Sequence, residues 1–385
     1  MTSAHPTVLA NARVVTPRGV LDRGWVAVED GRITAVEGGR PRAAAEDLAG
    51  AWLLPGFIDM HVHGGGGHDS AASPDDLAAA VAFHRMHGTT RTLVSLVTAP
   101  VAALVEQLGW IADAAQAGPT PNGHVVGAHL EGPFLSRAHC GAQNPAHLIE
   151  PDAAILERLV AAAGGTLRSV TIAPELPGAL RLIRALRAGD VLIALGHTDA
   201  TYAQAMAAID AGAMVATHLF NGMRPLHHRE PGVVGAALAS GLCCEVINDG
   251  IHVHPVITSL IAEHPERLVL ITDAIDAAGV GDGEFVLGGQ PVRVHHGVAR
   301  LAATGSLAGS TLTMDAALRR AVRDCGLPIE VASAAASGNP ARLLGIDDRC
   351  GAIAVGLDAD LVVLDDKLRV TSVMAGGRRH ESRVA

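Results

Sequence analysis

Residues 56–63 read Gly-Phe-Ile-Asp-Met-His-Val-His, an apolar run of strand length that ends in two histidines separated by one residue. Seven further runs of this kind follow, each ending in polar residues or glycine. They are TTRTLVSLVT (89–98), HVVGAHLEG (124–132), RSVTIAPE (168–175), DVLIALGHT (190–198), AMVATHLFN (213–221), CCEVINDGIH (243–252) and RLVLITDA (267–274). Near-continuous hydrophobicity suits strands buried on both faces. Between them lie Ala- and Leu-rich helical stretches such as PDDLAAAVAFHRMHG (74–88) and PGALRLIRALRAG (177–189), which end on glycine. Strand and helix alternating in this way predict repeated βα units and a parallel sheet. A doubly wound open sheet shows the same alternation, and the count of eight favours a closed (β/α)₈ TIM-like barrel.

Outside the barrel, both chain ends are rich in short β runs. VLANARVVT (8–16) is followed by WVAVEDGRITAVEG (25–38), whose Asp-Gly pair between apolar runs is a hairpin signal, and GAIAVGLDADLVVLDD (351–366) and LRVTSVMAGG (368–377) resemble them. The expectation is a small β-sandwich domain built from residues 1–54 and 346–385, with the barrel spanning 55–345. A chain of 385 residues with 49% hydrophobic content has room for both, although length alone also allows two unrelated domains.

The formal net charge of -10, with no basic block, excludes a nucleic-acid surface but leaves room for a small anionic ligand held by local arginines. The start, MTSAHPTVLANARVV, lacks a basic segment followed by a sustained apolar one and does not read as a secretory signal. No apolar stretch is long enough to predict a membrane span. Five scattered cysteines (140, 243, 244, 325 and 350) lack the paired spacing of a zinc ribbon or disulfide framework, so the expected compartment is the cytoplasm.

In a barrel of this type the active site lies at the C-terminal ends of the strands. Those ends carry His61 and His63 (first run), Glu131 (third), His197 (fifth), His218 (sixth), His252 (seventh) and Asp273 (eighth). His61 and His63 alternate along a strand, so both rings face one side and can share a divalent cation. Glu131 can bridge two cations, His197 and His218 can complete a second position, and Asp273 can bind a cation or its water. A single strand-end histidine is ordinarily a hydrogen-bonded structural residue. Four histidines and two carboxylates at one end of different strands are a different matter, and point to a metal site.

LLPGFIDMHVHG (53–64), HLEGPFL (129–135), LGHT (195–198), THLFNGM (217–223), REPG (229–232), NDGIHV (248–253), TDA (272–274) and LAGSTLTM (307–314) together resemble the N-acetylglucosamine-6-phosphate deacetylases of the amidohydrolase superfamily. The first of these motifs is shared widely across the superfamily; HLEGPFL, THLFNGM with REPG, and NDGIHV are more specific to the deacetylases. The resemblance implies metal-dependent hydrolysis of the acetamido group of N-acetylglucosamine 6-phosphate, with a metal-activated water as nucleophile and Asp273 as general base and acid. It implies one or two divalent cations per subunit, zinc first, with iron, cobalt, manganese or cadmium as alternatives. Glu131, His197 and His218 would hold the principal one, and His61 and His63 a second, bridged by Glu131.

For the substrate, the resemblance implies Asn221, Gly222, Arg229 and His252 around the phosphate, with Ala142, Gln143 and Leu307 also in contact. Arg229 would reach the active site of the neighbouring subunit in a homodimer. Part of the family carries histidine where this chain has Gln143, which can still bond a sugar hydroxyl. Cys140, in the same loop, reads as an incidental thiol, and His68, His84, His87, His227, His228, His295 and His296 read as solvent-facing or structural. Two rivals stand beside this reading: an amidohydrolase acting on a different amide, and a catalytically inert barrel serving as a scaffold, whose expected mark is erosion of the ligand set.

Overall fold

The computed structural model describes residues 7–120 and 123–381; the expectations for Met1–Pro6 and residues 382–385 lie outside the described residues. The eight runs form one eight-stranded parallel sheet: β1 (Phe57–Val62), β2 (Thr89–Val97), β3 (His124–Glu131), β4 (Leu167–Ile172), β5 (Leu192–Leu195), β6 (Val215–Ala216), β7 (Cys243–Ile247) and β8 (Leu268–Ile271). Each strand pairs with its sequence neighbour. The ring closes beyond the last strand, where the Asp273 N–H donates to the His61 carbonyl at 2.8 Å. Every residue of β1 and β8 is buried, which explains why the runs read as continuously apolar.

The outer helices begin where polar caps appear. Ser73 accepts from the Asp76 N–H ahead of helix Pro74–Met86, and Thr201 and Gln204 form a reciprocal capping box ahead of Tyr202–Asp210. Each helix turns apolar residues inward, for example Leu182, Ile183 and Leu186 of Ala179–Ala188.

The two chain ends share a second eight-stranded sheet. In it Trp52–Pro55 lies between Thr7–Thr16 and Leu361–Leu364, and Leu361–Leu364 leads through Val370–Ala375 to Arg378–Glu381. The Asp-Gly pair makes the expected tight hairpin, with Glu29 opposite Arg32 and both turn residues at positive φ (49° and 77°). Leu9, Val14, Val26, Leu53, Leu361 and Met374 form its own buried core. Arg91 of β2 fastens this sheet to the barrel: its guanidinium meets Asp358 at 2.6 Å and Asp360 at 2.9 Å, all three side chains being nearly inaccessible.

A third sheet was not foreseen. After β8, Gly283–Leu287, Gln290–His295 and Val298–Leu301 form an antiparallel meander over the mouth of the barrel. Among the described residues, no helix is long and apolar enough to cross a membrane.

His84 belongs to the structural histidines, and it is buried rather than solvent-facing. Its Nε2–H donates to the Gly64 carbonyl at 2.8 Å, tying helix Pro74–Met86 to the loop after β1. Burial pushes its pKa down from 6.5 to about 4, with the Gly64 bond opposing. The unfolded chain therefore binds the proton more readily between those values, so this contribution is complete above pH 6.5 and is lost as pH falls towards 4. Lowering pH from 8 to 5.5 should cost on the order of 1 kcal/mol through this residue. Urea unfolding at the two pH values checks it: His84→Gln should show a shallower pH dependence by that amount, and an unchanged slope would rule the assignment out.

Candidate metal centre

The metal-ligand candidates all sit on β-strand ends or on the first residues beyond them, and the barrel brings them together. His61 Nε2 lies 3.2 Å from His63 Nε2, 3.3 Å from Glu131 Oε1 and 3.5 Å from Asp273 Oδ1. His197 Nε2 and His218 Nε2 are 3.1 Å apart and lie 3.1 and 3.0 Å from Glu131 Oε1. Two groups of three buried side chains result, His61–His63–Asp273 and Glu131–His197–His218, each with ligand atoms within 4.8 Å of one another. Glu131 also faces the first group, with Oε2 3.4 Å from His63 Nε2.

Three of these residues have left-handed backbones: His197 (φ 47°), His218 (φ 28°) and Asp273 (φ 50°). Each follows its strand by two residues, where the chain turns sharply and aims the side chain across the barrel mouth. Such conformations cost on the order of 1–3 kcal/mol for a side-chain-bearing residue, and they concentrate at functional sites.

Three of the four far ring nitrogens are held as well. His63 Nδ1 meets the Ser95 carbonyl at 3.2 Å, His197 Nδ1 the His139 carbonyl at 3.0 Å, and His61 Nδ1 a Glu245 carboxylate oxygen at 3.3 Å. Each such contact fixes the proton on Nδ1 and leaves Nε2 as a lone-pair donor.

The charges are in tension. Burial pushes Glu131 and Asp273 up, but His61 and its neighbours outweigh it, holding Glu131 well below the carboxylate range and Asp273 at about 2. Burial pushes His61 and His63 down, but Glu131 and Asp273 outweigh it, lifting His63 to about 9. The carboxylates thus create a strong demand for positive charge in a cluster of nitrogen and oxygen donors nearly cut off from water. Imidazole and carboxylate at this spacing fit a divalent transition ion.

A cavity of about 210 Å³ opens over the cluster. Ala142, Gln143, Asn221, Gly222, His252 and Leu307 line it, so the structure brings together all the expected substrate-side residues but one. Arg229 lies outside, exposed, with Nη1 2.7 Å from His228 Nε2, beside a separate surface hollow shared with Tyr202 and Arg224. Gln143 is occupied at both ends, its amide donating to Glu131 Oε2 at 2.6 Å and its carbonyl accepting from the Thr98 N–H at 2.7 Å. His252 bonds Asp249 through Nδ1 at 2.7 Å, leaving Nε2 for a ligand.

Several residues in this region escaped the sequence reading. Glu245 and His129 are buried in the barrel interior, His129 between Ser95 Oγ (2.9 Å) and Thr171 Oγ1 (2.8 Å). His129 precedes Glu131 by two residues and so shares its strand face. Glu245 is the one charged residue in an otherwise apolar strand. Leu287 comes from the unforeseen meander, which is pinned to the loop after β3 by Gln290 Nε2 donating to the Ala142 carbonyl at 2.6 Å.

Residues 52–379 match the amidohydrolase family. N-acetylgalactosamine-6-phosphate deacetylase of Escherichia coli is 42% identical over 375 residues, covering 96% of this chain and 98% of the relative. N-acetylglucosamine-6-phosphate deacetylase of Bacillus subtilis is 38% identical over 389 residues, covering 97% of each. Among solved structures, a mutant N-acetyl-D-glucosamine-6-phosphate deacetylase from Mycobacterium smegmatis, in complex with N-acetyl-D-glucosamine-6-phosphate, superposes with a TM-score of 0.93 at 44% identity. That match covers 98% of this chain and 99% of the other.

Gly222 has a φ of 58°, and a Cβ there would stand 2.8 Å from His197 Nδ1 and 3.2 Å from the His139 carbonyl, the two atoms that bond each other. Gly222→Ala should therefore displace the His197 ring and weaken metal retention by roughly tenfold or more. Metal content after dialysis against a graded chelator measures this, and retention equal to the parent would contradict it.

Proposed function

The chain belongs to the amidohydrolase family, and from that premise we propose that it hydrolyses the 2-acetamido group of N-acetylglucosamine 6-phosphate, giving glucosamine 6-phosphate and acetate. The observation that carries the reading is the pair of buried ligand triads at a cavity that Asn221, Gly222 and His252 also line. The names of the relatives support the substrate class. Two of them act on sugars that share the 2-acetamido and 6-phosphate groups and differ at C4, which makes tolerance at C4 a question for the same assay.

A bound divalent cation, which we take to be zinc, supplies Lewis acidity and lowers the pKa of the attacking water. Glu131, His197 and His218 would hold it, with His61, His63 and Asp273 offering a second position. We assign Asp273 the role of general base: its Oδ1 lies among the ligand nitrogens, 3.1 Å from His63 Nε2, and the residue lines the cavity. It takes a proton from the water as the oxygen attacks the amide carbon. It then returns that proton to the nitrogen as the C–N bond breaks, since an amine leaves readily only when protonated. An aspartate carboxylate is ionised at neutral pH and can accept that proton.

The phosphate would rest on the Gly222 N–H, Asn221 and His252. Because Arg229 is exposed and outside its own cavity, we assign it to the site of a second copy in a homodimer, where a guanidinium fork matches a phosphate dianion. Five free cysteines and a phosphorylated sugar substrate fit a reducing cytoplasm.

Acetate release from N-acetylglucosamine 6-phosphate, its galactosamine epimer and unphosphorylated N-acetylglucosamine tests the substrate. Turnover strongly favouring the phosphorylated sugars is expected; reaction with none of the three would withdraw the substrate. Arg229→Ala should raise KM for the phosphorylated sugar more than for the free one, and an equal rise would refute its phosphate role. Asp273→Asn should abolish turnover while the cation at Glu131–His197–His218 is retained, and retained activity would refute the base assignment.

A further inference from the structure

Four histidines present Nε2 to the metal centre, and their far nitrogens differ. His63 and His197 use backbone carbonyls, His218 Nδ1 is buried without a hydrogen-bond partner, and His61 alone faces a carboxylate. That carboxylate belongs to Glu245 on β7, which is 3% exposed and lies on the interior side of the ligands. Its Oε2 is 3.3 Å from His61 Nδ1 and accepts weakly from the His218 N–H at 3.4 Å, while its carbonyl accepts from the Leu219 N–H at 2.8 Å. Glu245 therefore spans the strand ends that carry one ligand from each triad, yet touches only the His61 ring.

We propose that Glu245 is a positioning residue that secures the second cation: through His61 Nδ1 it fixes the ring that faces His63 and Asp273, and makes the His61–His63–Asp273 position bind a divalent ion tightly. The inference rests on the metal-hydrolase reading and adds to it a control over occupancy. Two effects act together. A carboxylate acceptor on Nδ1 locks the tautomer and makes Nε2 a stronger donor than a carbonyl acceptor does. Charge acts in the same direction, because Glu131, Asp273 and Glu245 together bring three negative charges, which one divalent ion leaves in excess by one. In so buried a cluster that remaining negative charge draws further positive charge toward the His61–His63–Asp273 position. The triad holding the principal ion is largely insulated, since Glu245 reaches it only through one long backbone contact.

Zn²⁺ binding decides this without reference to turnover. Protein stripped by chelation is dialysed against a series of buffered Zn²⁺ concentrations and its metal measured, for the parent, His63→Ala, Glu245→Gln and Glu245→Leu. The parent should bind two equivalents and His63→Ala one. Glu245→Leu should weaken the step that His63→Ala removes by roughly 10- to 100-fold, and change the other step less than about threefold. Glu245→Gln, which keeps an acceptor of the same shape, should fall between Leu and the parent, and carries the test if Leu does not fold. Two steps unchanged in both Glu245 variants, both steps weakened equally, or a parent that binds one equivalent would each overturn the inference and leave the hydrolase reading standing. A parent that takes up no Zn²⁺ would overturn both.

Discussion

Everything at the mouth of this barrel answers to one constraint: four imidazole nitrogens and two carboxylates are held within contact distance where water scarcely reaches. Donors of one polarity, crowded and buried, repel each other and forgo hydration, a penalty of several kcal/mol per uncompensated charge. A divalent cation turns that repulsion into attraction. The barrel is suited to hold such a cluster open against it, since the six donors are anchored to five different strands and the strands are locked edge to edge. The left-handed turns at His197, His218 and Asp273 are the local cost of aiming side chains inward from the rim.

Around that centre the outer contacts form a graded support. Glu245, Ser95 and His139 hold the far sides of three rings, and Gln143 holds the outer oxygen of Glu131. The loop carrying His139 and Gln143 is braced in turn from two directions. Asp199 bonds His139 Nε2 at 3.0 Å and is itself gripped by Arg224, while Gln290 of the meander bonds the Ala142 carbonyl. The cavity lining and the histidine–carboxylate cluster thus share one framework, and an added methyl at Gly222 would be felt by His197.

The barrel was legible because parallel strands buried on both faces leave uninterrupted apolar runs, and even β6, reduced to Val215–Ala216, lay inside such a run. The cluster of His61, His63, Glu131, His197, His218 and Asp273 was legible because strand ends are where the fold exposes chemistry. His129 and Glu245 were missed for the same reason: attention to strand ends passes over residues a step inside the strand, although alternation from Glu131 pointed to His129. The meander at 283–301 shows a one-sided pattern, with buried Val292 and Val294 between exposed neighbours and glycine turns at 288–289 and 297, a signal overshadowed by the βα repeat. Arg229 lies outside the cavity built by its own barrel, beside a separate hollow.

Hydrolysis at this site should require a divalent cation, and turnover of N-acetylglucosamine 6-phosphate across a cycle of chelation and metal restoration tests that most directly. Activity should disappear as the metal is withdrawn and return on adding Zn²⁺ to the same protein. Undiminished acetate release from protein shown to be metal-free would contradict it.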